Sequence, residues 1–221
     1  MVVCADRAGV VEDGPTHHGL YDEGFALSMP NLCVMAPKNE AELEQMLPFA
    51  YELKSPAMIR YPRGGSKIND LPVPPLEKGR AEIIRDGKDL AVWAVGKEVG
   101  TALAAAEQLR KELGISCRIV NTRFLKPFDS ETLRHDALIM PVVTLEDNLA
   151  GTGLDAIADR LLISEKHCGI LHFAWPDDRL IPHGTDARLR EKFGLSAPQI
   201  AQKIRERFFA GKAGHPEQER S

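Results

Sequence analysis

The chemically richest stretch of the sequence is residues 6–19, which read DRAGVVEDGPTHHG and follow a β-rich run at residues 1–5. Ligands of open α/β sheets bind beyond the carboxyl ends of strands, so this position suits a site. The stretch contains Asp6, Asp13, His17 and His18, which could carry proton-transfer chemistry, because histidine transfers protons near neutral pH and a carboxylate can orient it. The alternative is a polar surface loop in which an aspartate and a histidine merely hydrogen-bond to each other.

Two arginines offer a second kind of chemistry, the binding of an anion. Arg7 lies in the first loop, and Arg63 follows the β-rich run at residues 57–61 within the motif IRYPRGG. Pro62 lacks a backbone donor and ends strand pairing, so Arg63 is free to point into a cleft. Two guanidinium groups at adjacent strand ends would form a phosphate clamp. The alternative is a charged strand terminus whose arginine stems pack on apolar surface.

Two further motifs carry weaker signals. Residues 146–153, EDNLAGTG, place glycines between a strand and a helix, as phosphate-binding turns do. Their spacing is not that of a P-loop, and Ala156 interrupts a G-x-G-x-x-G pattern, so a tight turn is the preferred interpretation. Asp177 and Asp178 could be metal ligands, but no further carboxylate stands at a spacing that would complete a metal site. The four cysteines are scattered, so the sequence predicts no metal site and no disulfide framework.

The pattern of elements predicts an α/β protein with mainly parallel sheets. Asn39 is expected to cap a helix, with Glu42 completing a capping box, and Pro48 is expected to kink that helix or end it early. A terminal helix is predicted over residues 197–209. The predicted strands cover residues 1–5, 32–36, 57–61, 89–95, 116–120, 139–145 and 169–173.

The composition excludes several classes of protein. The 221 residues include 28 Lys and Arg against 32 Asp and Glu, a formal net charge of −4. This mild acidity predicts binding neither to nucleic acid nor to an anionic membrane. No apolar run approaches the length of a membrane span, and the first residues lack a signal-peptide pattern. Reduced, scattered cysteines favour a cytoplasmic location.

Six motifs taken in order make the sequence resemble a known family: DRAG…DGPTHHG, NLCVMAPKNEAEL, IRYPRG, NTRFLKPFD, VVTLEDN and WPDDRLIPHGT. It resembles the later part of the 1-deoxy-D-xylulose-5-phosphate synthases, which belong to the transketolase-like, thiamine diphosphate-dependent enzymes. The resemblance implies the second half of a pyrimidine-binding domain at 1–70, a linker at 71–78, a transketolase C-terminal domain at 79–209 and a disordered tail at 210–221.

The same resemblance implies a reaction and roles for four residues. The family joins pyruvate, after decarboxylation, to glyceraldehyde 3-phosphate, in the synthesis of isoprenoid, thiamine and pyridoxal precursors. By motif, Arg7 and Arg63 match the arginines that hold the phosphate of the acceptor. Asp13 and His17 match residues that contact the substrate-derived intermediate.

The resemblance also implies what the chain needs from elsewhere. The family's activating glutamate and its domain for thiamine diphosphate and magnesium match no part of this sequence, so the chain alone is expected to bind no cofactor and to be inactive. Its expected partner is the missing upstream half or a second copy of itself. Two alternatives stay open: a natural subunit of a split transketolase-like enzyme, and a non-catalytic interaction module.

Overall fold

A computed structural model describes residues 1–66 and 68–211, which fold as an α/β structure with two mixed, mostly parallel sheets. The strands are β1 (Val2–Ala5), β2 (Cys33–Met35), β3 (Ala57–Arg60), β4 (Glu82–Arg85), β5 (Leu90–Ala94), β6 (Cys117–Asn121), β7 (Phe124–Lys126), β8 (Val142–Leu149) and β9 (Ile170–Trp175). The helices are α1 (Asp22–Ser28), α2 (Glu40–Glu52), α3 (Glu98–Leu113), α4 (Ser130–Ile139), α5 (Leu154–Leu162), α6 (Asp186–Phe193) and α7 (Ala197–Phe208).

The first sheet has the strand order β1-β3-β2-β7. Strands β1 and β2 both pair in parallel with β3, whereas β7 pairs antiparallel with β2. Sequence analysis missed β7, because three residues are too few to show a period. The strand matters for the architecture, since it lies between strands of the second sheet in the chain and so ties the two sheets together.

The second sheet has the order β4-β6-β5-β8-β9, with β4 antiparallel at one edge and the other strands parallel. Strand β5 is buried along its whole length, as expected for a parallel strand covered on both faces. Helix α3 covers one face with buried Ala102, Ala106 and Leu109, and its C-terminus is closed by Gly114 in the left-handed conformation. The second missed strand, β4, is a short edge strand.

Helix α2 departs from its prediction at one point. Asn39 caps it as predicted, accepting a hydrogen bond from the Glu42 amide at 3.0 Å. Helix α2 nevertheless continues through Pro48 to Glu52, so the prediction of an early end was wrong. Met46 and Ala50, on either side of the proline, are buried in one apolar cluster, and this packing outweighs the single backbone hydrogen bond that proline removes.

A cluster of buried charged side chains links helix α2 to the second sheet. Glu42 does not bond the Asn39 amide as a capping box would, but accepts a hydrogen bond from the preceding Lys38 amide at 2.6 Å. Its carboxylate also accepts hydrogen bonds from Arg123 Nε at 2.6 Å and from Asn121. Lys38 Nζ lies 2.8 Å from Glu82 Oε2, which also faces Arg123. Two cations thus neutralise two carboxylates, which is the condition under which buried charges are tolerated.

No helix of the described ranges, 1–66 and 68–211, is long and apolar enough to cross a membrane. The predicted tail falls mostly on residues 212–221, outside the described residues.

Candidate functional site

The loop at residues 6–19 closes on itself at the carboxyl ends of β1 and β3. Gly9 and Gly19 exchange backbone hydrogen bonds of 2.8 and 2.9 Å, and the Ala8 amide donates to the Tyr61 carbonyl at 3.0 Å. Arg7 has a φ of 59°, a left-handed conformation that turns the chain out of β1. The loop therefore lies beside the residues at the end of β3, as the topology of a parallel sheet requires.

The structure brings together two of the four predicted site residues. Arg63 donates from Nη1 to Asp13 Oδ2 at 2.5 Å, and both side chains are substantially exposed. The Asp13 carboxylate therefore occupies the guanidinium of Arg63, where an anionic ligand would otherwise bind. Within the described part of the chain, the Arg7 side chain makes no hydrogen bond or ion pair with Asp13 or His17.

The two adjacent histidines have different environments. His17 is exposed, and its Nδ1 contacts the Thr16 hydroxyl at 2.9 Å, which leaves Nε2 free to face a ligand. His18 is buried, accepts a hydrogen bond from the Val11 amide on Nδ1 at 3.0 Å, and therefore donates from Nε2 to the Ile181 carbonyl. His17 is thus available for chemistry, whereas His18 holds the loop in place. The Asp–His hydrogen bond of the alternative interpretation is not formed by Asp13 and His17.

A third histidine, His183, lies against the loop from the later part of the chain. Gly14 has a φ of 86°, and a Cβ built on it would lie 2.2 Å from His183 Cε1. Sequence analysis did not select His183 as a site residue. The signal in the sequence that points to it is the motif IPHGT, in which a histidine stands between a proline and a glycine.

Arg60, three residues before Arg63, is buried and has a structural role. Its Nε hydrogen-bonds both oxygens of Asp22, and its Nη2 donates to the carbonyls of Gly19 and Asp147 at 2.6 and 2.7 Å. The guanidinium therefore holds the end of the loop, the start of α1 and the end of β8 together. Of the two arginines in the RYPRG motif, only Arg63 is available to a ligand.

Asp147 is the most important residue that sequence analysis placed in a simple turn. It lies in β8, where Lys97 Nζ is 2.6 Å and Arg190 Nη2 3.1 Å from its Oδ2, and the Trp175 indole donates to its Oδ1. Burial alone would raise the pKa of Asp147, but the two cations hold it well below its usual range. Gly9 must be a glycine here, because a Cβ would lie 1.7 Å from Asp147 Oδ2.

A cofactor metal requires several donor side chains that converge on one point. Among residues 1–66 and 68–211, no group of three or more His, Cys, Asp or Glu side chains is placed to hold a metal ion. No catalytic step through thiamine diphosphate is assigned to these residues.

Two family models match the chain in the order of its two sheets. Residues 1–67 match the transketolase pyrimidine-binding domain, and residues 79–200 match the transketolase C-terminal domain. The chain belongs to the transketolase family.

Individual relatives of the chain belong to a narrower group than the family models describe. The chain is 41% identical over 220 residues to a 1-deoxy-D-xylulose-5-phosphate synthase of Rippkaea orientalis, covering 95% of this chain and 34% of that protein. It is 40% identical over 216 residues to the synthase of Heliobacterium modesticaldum, covering 93% and 32%. The chain thus spans about a third of the length of these relatives and resembles their C-terminal part.

The chain is also similar to a solved structure of a split-gene transketolase, an inactive tetramer of four beta subunits. It superposes with a TM-score of 0.83 at 29% identity, covering 93% of this chain and 66% of that chain. The α/β fold with a partial pyrimidine-binding domain followed by a C-terminal domain is therefore confirmed.

Proposed function

We propose that this chain is the C-terminal part of a 1-deoxy-D-xylulose-5-phosphate synthase, which binds the phosphate of glyceraldehyde 3-phosphate and orients that acceptor for the addition of decarboxylated pyruvate. The observation that supports this most strongly is the contact between Arg63 and Asp13, which places the RYPRG motif against the DGPTHHG motif at one sheet edge. Identities of about 40% to synthases over more than nine-tenths of the chain point to the same reaction.

In this proposal Arg7 and Arg63 bind the acceptor's phosphate. A guanidinium matches the geometry of a phosphate through two parallel donors, and such charge-assisted hydrogen bonds are stronger than neutral ones. Arg63 is paired with a carboxylate in this structure and is exposed, so a phosphate can exchange with Asp13 without unfolding the loop. Arg7 has a buried Nε without a hydrogen-bond partner among the described residues, which leaves it a donor to satisfy.

Asp13 and His17 then face the reacting end of the acceptor. When the phosphate displaces Asp13 from Arg63, this carboxylate becomes free to accept a hydrogen bond from a substrate hydroxyl. In this proposal His17, whose Nδ1 contacts the Thr16 hydroxyl, donates a proton from Nε2 to the acceptor's carbonyl oxygen, which thereby becomes a hydroxyl group.

We propose that the cofactor chemistry comes from outside the described residues. The family implies thiamine diphosphate with magnesium, and we propose that a segment corresponding to the rest of the relatives' length binds them, in the same polypeptide or in a separate one. The similarity to a split-gene transketolase supports a second candidate, in which this chain is the natural β-type subunit of a two-chain enzyme.

The first experiment is an assay of deoxyxylulose phosphate formation from pyruvate and glyceraldehyde 3-phosphate, with thiamine diphosphate and magnesium. It is run with this chain alone and after mixing with a separately produced upstream part of a synthase. We expect activity only in the mixture. Turnover by the chain alone would contradict the assignment of cofactor chemistry to another segment. If neither the chain alone nor the mixture forms product, the result would favour a non-catalytic interaction module.

Substitution of the arginines tests the phosphate site within that assay. Arg63→Met and Arg7→Met are each expected to raise the KM for glyceraldehyde 3-phosphate about 10- to 100-fold, from the roughly 1.5–3 kcal/mol typical of a hydrogen bond to a charged group. The KM for pyruvate should not change. Unphosphorylated glyceraldehyde is the control acceptor, and an equal loss with both acceptors would contradict phosphate binding by these residues.

A further inference from the structure

Two buried carboxyl groups, outside the proposed substrate site, face each other between the two sheets. Glu23 in α1 and Glu146 in β8 are 0% and 1% exposed, and their carboxyl groups converge beside Gly153. A Cβ on Gly153 would lie 2.0 Å from Glu146 Oε2 and 2.5 Å from Glu23 Oε2, so the two oxygens share the space that this glycine leaves open.

The surroundings supply too few donors for two carboxylates. Glu146 accepts the amides of Leu154 and Asp155, both at 2.8 Å, at the start of α5. Glu23 has Arg60 Nη1 at 2.9 Å from its Oε1, while its Oε2 is buried and accepts no hydrogen bond from a donor in the described ranges. Two acceptors in contact without a donor between them are stable only if one carries a proton.

We propose that Glu23 and Glu146 share one proton at neutral pH and form a positioning pair that fastens α1, and with it the Asp13–His17 loop, to β8 and α5. The loop ends at Gly19, three residues before α1 begins at Asp22, and Arg60 binds both the Gly19 carbonyl and Glu23. The pair therefore connects the part of the chain that matches the pyrimidine-binding domain to the part that matches the C-terminal domain.

The charges around the pair favour retention of this proton. Glu23 faces Arg60, but also the carboxylates of Asp22 and Asp147. The charged groups that act most strongly on Glu146 are both acidic, Glu23 and Asp155. Burial raises the pKa of both glutamates, and that of Glu146 is raised well above its usual range by burial and by Glu23. Arg60 favours a negative charge on Glu23, so the proton lies mainly on Glu146.

The sign of the pH dependence follows from this. The folded chain binds one proton more than the unfolded chain between the ordinary pKa of a glutamate, about 4.3, and the raised pKa of the pair. The stabilisation is complete below that lower value and is lost as the pH rises through the raised pKa. Within this window the unfolding equilibrium constant should increase by up to about tenfold per pH unit.

The test is urea unfolding of the full chain at a series of pH values from 5 to 9, compared with Glu23→Gln. The glutamine amide can donate to Glu146 permanently, and its oxygen can still accept from Arg60. The ratio of the unfolding constants of wild type and Glu23→Gln is therefore expected to rise by up to about tenfold per pH unit within the window. Glu44→Gln, on the exposed face of α2, is the matched control and should keep the wild-type pH dependence. Equal pH dependence of wild type and Glu23→Gln would overturn the proposal.

Infrared spectroscopy keeps the proposal testable even if the variant unfolds. Wild-type protein at neutral pH should absorb in the range of an un-ionised carboxylic acid, and absence of this band would overturn the proposal. If Glu23→Gln folds, the difference between its spectrum and that of the wild type should show that the carboxylic acid band is lost. The reason is that Glu146 then ionises at the amino end of α5. An unchanged band in this variant would also overturn the shared proton.

Discussion

Arg60 and Arg63 are separated by three positions in the sequence, yet the structure predicts a large loss of stability when Arg60 is replaced by methionine and a small one when Arg63 is. Arg60 is 3% exposed, and its removal leaves the carbonyls of Gly19 and Asp147 without their donor and Asp22 and Glu23 without their cation. Breaking a buried ion pair by removing one partner typically costs about 3–5 kcal/mol. Arg63→Met removes one ion pair that is largely exposed, which is worth about 1 kcal/mol or less.

Urea unfolding followed by circular dichroism measures this difference. With an m-value of about 2 kcal/mol per molar urea, Arg60→Met should lower the midpoint by about 1.5–2.5 M, and Arg63→Met by about 0.5 M or less. Methionine retains an unbranched apolar stem at both positions, so the comparison isolates the guanidinium. A midpoint for Arg60→Met within about 0.5 M of wild type would refute the reasoning that this residue holds the loop, α1 and β8 together.

Two further predictions concern the loop and the thiols. Gly14→Ala should destabilise the chain by about 1–3 kcal/mol, because it strains a left-handed residue and displaces the ring of His183. Adding His183→Ala to that variant should restore only the part due to the clash; full restoration of the urea midpoint would contradict a strain contribution. Burial raises the pKa of Cys33 and of Cys117 to about 11, so only the other two of the four thiols should react quickly with a thiol reagent at pH 8. All four should react in urea, and rapid reaction of three or more in the native chain would contradict the burial.

Much of the fold could be predicted from local patterns. Alternating β-rich and helical segments predicted seven of the strands, and the Asn39 cap was predicted from one residue type in front of an apolar helical face. The family followed from motifs that each hold only a few residues, because the glycines, prolines and charged groups in them have little freedom of position. The roles of Arg7, Asp13, His17 and Arg63 came by the same route and stay predictions.

Local patterns could not predict the features that depend on residues far away in the sequence. Strand β7 has three residues and forms only because β2 offers a free edge. Arg60 and Arg63 are alike as letters, and His17 and His18 are adjacent, so only packing determines which member of each pair is buried.

The acidic residues at the end of β8 show the same limit most clearly. Asp147 and Glu146 precede a glycine-rich segment and so have the composition of a solvated turn. In the folded chain, Lys97 and Arg190 keep Asp147 charged, whereas Glu146 meets a second carboxyl group. The sequence by itself determined the class of fold and the family, and it predicted a set of candidate residues for chemistry. Only the tertiary structure decided which of those groups are charged, exposed or paired, because charge state and burial depend on neighbours that are far away along the chain.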